Sequence, residues 1–266
     1  MFAHFKALDT AVSFIETHLQ DDITIGDIAA AAAYSLYHFC RIFNQSAHHP
    51  PYDYLMRRRL SAAAEQLNQD DTRIIDLAFT YHFGSPESFS RAFRRMFGVL
   101  PTRWRQQGLR DPRVLMTPLS AKHLAQRNHP AFRRPTPLEK EAFSVAGLMT
   151  VVDQDGETAV SHLQRRFNQY PSHNLVTIRH YPDFWAKQGK PVLAGVLSET
   201  AAPPFVLQTI PAHTYACFAL PAVAEERPFL SDYIYQTWLP QSQYKLAAPF
   251  ELEQARQLFI PIKPDL

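Results

Sequence analysis

What the chain has little of excludes most chemistry at the outset. Its 266 residues include two cysteines, Cys40 and Cys217, far apart and with no metal or redox spacing. Eight glycines give no phosphate-cradling loop and no dinucleotide fingerprint, and no nucleophile elbow appears. No apolar run approaches the roughly 18 residues needed to cross a bilayer. The opening residues, which already carry Asp9, lack the basic-then-apolar layout of a secretion signal, so the expected compartment is the cytoplasm. The 12 histidines never fall in an H-x-x-x-H setting with a third ligand, so neither a metal nor a cofactor is expected. No signature of a catalytic triad is present.

Charge of either sign is also scarce in net terms, but the +2 balance hides an uneven distribution. Residues 1–56 hold two Lys/Arg against six Asp/Glu, and residues 57–110 hold ten against five. Residues 111–140 hold six against two, and residues 141–266 nine against twelve. The basic charge sits mid-chain, as in a protein with one polyanion-facing region. The length predicts two domains.

The first 108 residues read as short helices. Leu8, Val12, Ile15 and Leu19 recur at helical spacing, and Thr24 with Asp27 forms a capping-box pattern that opens a second helix. Ser35 starts a helix that buries Phe39 and Phe43, and Pro50-Pro51 starts a long one. The pattern then repeats after about fifty residues: Phe89-Ser-Arg-Ala-Phe93 matches Phe39-Cys-Arg-Ile-Phe43, and Gly84-Ser85 matches Tyr34-Ser35. Two helix–turn–helix copies joined by one long helix account for this spacing. Residues 109–138, with Pro112, Pro118, Pro130, Pro135 and Pro137 set among basic residues, are expected to be an extended linker with one short helix near 121–127. From 139 to 266 the period switches to strands. Strand, helix and two strands occur twice, which predicts an α+β domain with an antiparallel sheet and its helices on one face.

Several stretches now identify a family resemblance. Ile28-Ala, Tyr34-Ser35, Phe39-Cys-Arg-Ile-Phe43, Arg59-Leu60-Ser-Ala-Ala, Ile75-Asp-Leu-Ala-Phe79, Phe83-Gly-Ser-Pro-Glu-Ser-Phe-Ser-Arg-Ala-Phe-Arg-Arg-Met-Phe-Gly98 and Pro101-Thr-Arg-Trp-Arg105 together resemble the DNA-binding domain of AraC/XylS-type transcription regulators. The resemblance implies two units whose second helices enter successive major-groove segments on one face of double-stranded DNA. Val145-Ala-Gly-Leu, Val192-Leu-Ala-Gly-Val, Pro211-Ala-His-Thr-Tyr-Ala-Cys-Phe, Ala248-Pro-Phe-Glu251 and Leu258-Phe-Ile-Pro-Ile resemble the gyrase-inhibitor-like effector domain, in the Rob-type order. That resemblance implies a concave groove that takes amphipathic, often cationic compounds, with a carboxylate at its base. The matching position is Glu251.

A reading helix needs one apolar face to dock and an outward face to reach base edges and phosphates. With Phe39, Ile42 and Phe43 docking, Leu36, Tyr37, Cys40 and Arg41 point outward. With Phe89, Ala92 and Phe93 docking, Pro86, Glu87, Ser90 and Arg91 point outward, and Arg94 and Arg95 suit phosphates. Arg59 is expected to tie the long helix to its neighbours. In the second half, Tyr215, Trp238, Phe250 and Trp185 are the aromatic candidates for a groove around Glu251. The function so implied is a non-enzymatic, DNA-binding transcription regulator controlled by a small amphipathic or cationic ligand and working through RNA polymerase, with no membrane partner. Two alternatives stand beside it: a hydrolase of small electrophilic compounds using Glu251 and Tyr215, and a second domain that only docks protein partners.

Overall fold

The computed structural model describes residues 2–69, 71–107, 112–127, 135–152, 157–167, 174–181 and 189–265. It divides into two units. A helical unit comprises residues 1–130 and 228–237, and a sheet unit comprises residues 131–227 and 238–266.

The helical unit begins with α1 (Phe2–Thr17), α2 (Ile25–Ala31) and α3 (Leu36–Ala47). Thr24 caps α2 through the expected box with Asp27: Asp27 N–H donates to Thr24 Oγ1, and Thr24 N–H donates to Asp27 Oδ2. The long helix is α4 (Pro51–Gln69), and the second copy follows as α5 (Ile74–Thr80), α6 (Pro86–Phe97) and α7 (Pro101–Gln107). Ser85 and Ser88 cap α6 reciprocally, Pro86 fills its first turn, and Gly98 closes it at φ +75°, a conformation glycine adopts without the cost a Cβ brings. Both helix–turn–helix corners use a left-handed residue, Ala33 in the first and His82 in the second, each at φ 57°. One core gathers Leu8, Val12, Ile15, Ile28, Phe39, Phe43 and Tyr54. Arg59 donates to the carbonyls of Leu19 and Asp21 and so holds α4 against the end of α1.

Of the extended linker expected at 109–138, residues 112–127 are instead packed into the helical unit. A single turn (Pro112–Val114) precedes α8 (Ala121–Arg127), and Met116, Leu119 and Leu124 complete the helical core. The backbone of this stretch is satisfied by side chains: Met116 N–H donates to Ser61 Oγ, and Leu119 N–H to Tyr54 Oη. The fully buried Met116 and Leu124 anchor the segment despite its prolines.

The sheet unit has β1 (Thr136–Lys140), β2 (Phe143–Val152), α9 (Glu157–Arg165), β3 (Leu175–His180), β4 (Lys190–Leu197), β5 (Val206–Ile210) and β6 (His213–Ala219). The chain then forms α10 (Arg227–Asp232), a π-helical turn (Tyr233–Trp238) and α11 (Leu239–Gln241), followed by β7 (Tyr244–Leu246), β8 (Phe250–Gln254) and β9 (Gln257–Pro264). All the pairings are antiparallel, in the order β1-β6-β9-β8-β3-β4-β2-β5, with β7 on β9. Where β2 pairs with β4, Gly147 faces Gly195, and each backbone lies where a Cβ on the other would stand: a Cβ on Gly147 would meet Ala194 O at 2.4 Å. One face packs Val145, Val176, Ile178, Leu193, Tyr215, Phe250, Leu252 and Phe259 together. On the other, Val160 of α9 covers Val152 and Val192. The second helical stretch, expected at 229–239 on this sheet, differs from expectation: residues 228–237 belong to the helical unit.

Candidate nucleic-acid interface and effector cavity

Helices α3 and α6 superimpose in role at an offset of fifty residues. Phe39 and Phe43 are fully buried, as are Phe89 and Phe93. The opposite faces stand out. Leu36, Tyr37 and Arg41 of α3 are exposed, with Cys40 half-buried, and Glu87, Arg91, Arg94 and Arg95 of α6 are exposed, with Pro86 and Ser90 half-buried. Two further exposed residues of α3, Asn44 and Gln45, take the places of Arg94 and Arg95. They were missed in the sequence because they carry no charge, yet the fifty-residue offset points to them. A hydrogen bond from Ser85, with help from its own N–H and from Arg91, holds the Glu87 carboxyl below the usual carboxylate range. The α6 face therefore presents one acid and three arginines, whereas α3 presents an aromatic, an aliphatic, two amides and one arginine. Trp104 of α7 donates its indole N–H to Ala64 O and packs edge-on against Phe93, which fixes α6 on α4.

Behind α3 the corner into α4 is polar and closed. His48 ends α3 in a left-handed conformation, and the fully buried His49 contacts Asp53 through Nδ1 (2.9 Å) and Thr237 through Nε2 (3.0 Å). A carboxylate only accepts, so Nδ1–H donates to Asp53, leaving Nε2 to accept the Thr237 hydroxyl in the neutral ring. Burial pulls the His49 pKa below its ordinary value, offset in part by Asp53. Burial alone would raise the Asp53 carboxyl, but His49 and Arg57 hold it below its ordinary value. Arg127, from α8, donates to Ala47 O at the same corner, and burial pulls its pKa down to about 10.

The effector-side candidates are dispersed rather than gathered. Side chains alternate along a strand, so Glu251 and its neighbour Phe250 face opposite sides of β8. Phe250 and Tyr215 sit in the apolar cluster on one face, where burial pushes the Tyr215 hydroxyl up to about 12. Trp238 packs edge-on against Phe218 (5.2 Å) and stacks on Tyr244 (6.4 Å). Trp185 lies outside the described residues. Glu251 is buried and accepts the Tyr181 hydroxyl at 2.8 Å. Of the described candidates, Tyr215, Trp238, Phe250 and Glu251, none lines the cavity of about 420 Å³ that opens between the end of α9 and the β8–β9 turn. Its walls include Gln164, Phe167, Leu175, Thr177 and Arg256, and its acid is Glu253, two residues after Glu251 and on the same face of β8. Glu253 is recessed, accepting from Arg179 (2.9 Å) and from both terminal nitrogens of Arg227 (3.1 and 3.0 Å). A second acid at the i+2 position of the same strand was the signal for it.

Among the described residues no His/Cys/Asp/Glu group could hold a metal ion, and no helix is long and apolar enough to cross a membrane. Residues 28–107 match the helix-turn-helix domain family, and residues 138–262 match the integron-associated effector binding protein family. The chain is 38% identical over 100 residues to the uncharacterized HTH-type transcriptional regulator YbfP of Bacillus subtilis, covering 38% of this chain and 34% of that one. It is 30% identical over 105 residues to the regulatory protein SoxS of Escherichia coli, covering 40% of this chain and 98% of SoxS. The AraC-type DNA-binding domain of a Chromobacterium violaceum regulator shares 28% identity over 39% of this chain and 92% of that one, at a TM-score of 0.38. The chain thus spans about a third of the length of YbfP but nearly all of SoxS. With two helix–turn–helix copies and a second unit that matches an effector-binding family, the chain belongs to the AraC/XylS family of helix-turn-helix transcription regulators.

Proposed function

We propose that the chain is a sequence-specific, double-stranded DNA-binding transcription regulator whose helical unit reads two successive major-groove segments through α3 and α6. The observation that carries this reading is the fifty-residue equivalence of two helices, each with phenylalanines docked and an arginine at the same outward position, Arg41 and Arg91. Glu87 lies one turn before Arg91 and feels its charge, so the α6 face sets an acid that can accept from cytosine beside an arginine that can donate to guanine. Arg94 and Arg95 hold phosphates. RNA polymerase is the partner through which such binding acts, in the cytoplasm. Fluorescence anisotropy of the full chain with duplexes selected from a random pool tests the reading. Affinity should fall steeply as salt rises, because phosphate contacts release counterions. No selected duplex at low salt refutes it.

Within the same reading, the sheet unit takes a small amphipathic ligand in the cavity beside Glu253. Its volume lies within the roughly 300–1,000 Å³ of small-molecule sites. Phe167 and Leu175 offer apolar contact, and Glu253 a recessed charge, so a flat apolar body with one positive charge matches both. Glu251, its charge met by the Tyr181 hydroxyl, adds negative potential from the same face. The test is calorimetric titration of the full chain with a matched pair of aromatic compounds, one bearing a quaternary ammonium and one an isosteric tert-butyl group. The cation should be favoured by about 1–4 kcal/mol, the Coulomb energy of two unit charges about 4 Å apart in surroundings between bulk water and a protein surface. Equal binding of the two compounds removes Glu253 from the ligand's contacts.

A further inference from the structure

The segment 228–237 lies in the helical unit, yet the residues on either side of it, Arg227 and Trp238, are held in the sheet unit. Arg227 grips Glu253, the carboxylate of the cavity, with two N–H donors. Trp238 packs on Phe218 and Tyr244. Between these anchors the segment buries Leu230, Tyr233, Ile234, Gln236 and Thr237. Its polar side chains are used locally. Gln236 Oε1 accepts the Thr117 N–H at 3.0 Å, and the Thr117 hydroxyl lies between Asp232 and Gln236. The Thr237 hydroxyl meets His49, which lies immediately after the left-handed residue that ends α3. Phe229 and Tyr233 add edge-on contacts to His123 and His48.

We propose that residues 228–237 are the coupling element of the protein: they carry the state of the Glu253 cavity to the α3–α4 corner and so to the first reading helix. The inference rests on the cavity being the effector seat. When a cationic group of a ligand takes Glu253, it replaces the Arg227 guanidinium, one cation for another, so the exchange buries no new net charge, and Arg179 keeps the carboxylate in place. Arg227 is joined directly to Pro228, so its release slackens the anchored end of the docked segment. The contacts of Gln236 and Thr237 then loosen, and α3 loses the support that orients it for the groove. One segment with two arrangements, docked or slack, is the kind of element whose equilibrium two distant sites can both bias.

The test needs no ligand for its first arm. In the full chain, Arg227→Ala should raise amide exchange in 228–237 and in the 47–54 corner at least tenfold, and weaken binding to the selected duplex three- to tenfold. Arg179→Ala, which removes the other arginine of the same carboxylate, should leave exchange in both stretches within twofold of the parent. Thr237→Val should weaken duplex binding and tighten binding of the quaternary ammonium compound, because both follow from one shift towards the slack arrangement. Unchanged exchange in 228–237 on Arg227→Ala overturns the coupling, as does tighter duplex binding by that variant. If Arg227→Ala behaves as stated but the ammonium compound does not bind, the coupling stands and only the ligand assignment of the cavity falls. If the compound binds and exchange in 228–237 stays fixed in its presence, the coupling falls and the cavity assignment stands.

Discussion

Removing one oxygen atom from Tyr54 tests whether the proline-rich stretch after residue 108 is an integral part of the helical unit. Tyr54 is fully buried on α4, and its hydroxyl donates to Glu16 Oε1 while accepting the N–H of Leu119, both at 3.0 Å. Tyr54→Phe keeps the ring against Phe43, 5.6 Å between centroids, so the volume lost is small. What changes is hydrogen bonding. The buried Leu119 N–H loses its acceptor, which costs about 1–3 kcal/mol. Glu16 loses one donor but keeps Arg58, which gives it two nitrogens at 2.8 Å, so this second loss falls at or below the low end of about 1.5–3 kcal/mol for a charged bond. Together they predict about 2–4 kcal/mol, or a fall in Tm on the order of 10 °C for a unit of this size. Ser61→Ala should cost about 1–3 kcal/mol for the same reason, because it strands the Met116 N–H. The assay is urea denaturation of the full chain followed by circular dichroism. If residues 112–127 were a solvated linker, water would satisfy both amides, and losses under about 0.5 kcal/mol in both variants would refute the packed segment.

Gly147→Ala drives a Cβ to 2.4 Å from Ala194 O, so β2 and β4 must part, and the cost should reach about 3 kcal/mol, the upper end for overpacking; a denaturation midpoint within about 0.5 kcal/mol of the parent would contradict the close pairing. The folded chain holds His48 and His49 below their ordinary pKa, chiefly by burial, so the unfolded chain binds their protons first. Stability is therefore full above about pH 6.5 and declines as pH falls below it; His49→Gln should flatten that decline in a pH series of urea melts, and an unchanged slope would count against it. Asp53, also held below its ordinary value, adds a loss of the same sign at lower pH, as the carboxylate protonates.

The two helix–turn–helix copies were legible because their signals are local: a capping pair, phenylalanines at i and i+4, and a fifty-residue echo. Arg59 was legible as a tie for the same reason. The short helix at 121–127 was legible, but the packing of 112–127 was not, since Met116, Leu119 and Leu124 are too few and too irregularly spaced among prolines to show a period, and only tertiary contact reveals that they are core. The helix after β6 was visible as a helix, but its sequence neighbours are strands, and nothing in an amphipathic pattern says which surface it covers. The effector candidates show the reverse case. Aromatic composition grouped Tyr215, Phe250 and Trp238 with Glu251, while strand parity sends Phe250 and Glu251 to opposite faces and brings Glu253 to the cavity.

The measurement that tests the central claim most directly is a randomised-duplex selection run in parallel with the parent chain, Arg41→Ala, Arg91→Ala and Arg95→Ala. The parent should select two short elements about one helical turn apart, one for each reading helix. Arg41→Ala should flatten base preference in one element and Arg91→Ala in the other, each by about 1–3 kcal/mol at a single base pair, while Arg95→Ala weakens every duplex alike. A single selected element, or three variants that all weaken binding uniformly, would contradict reading by α3 and α6.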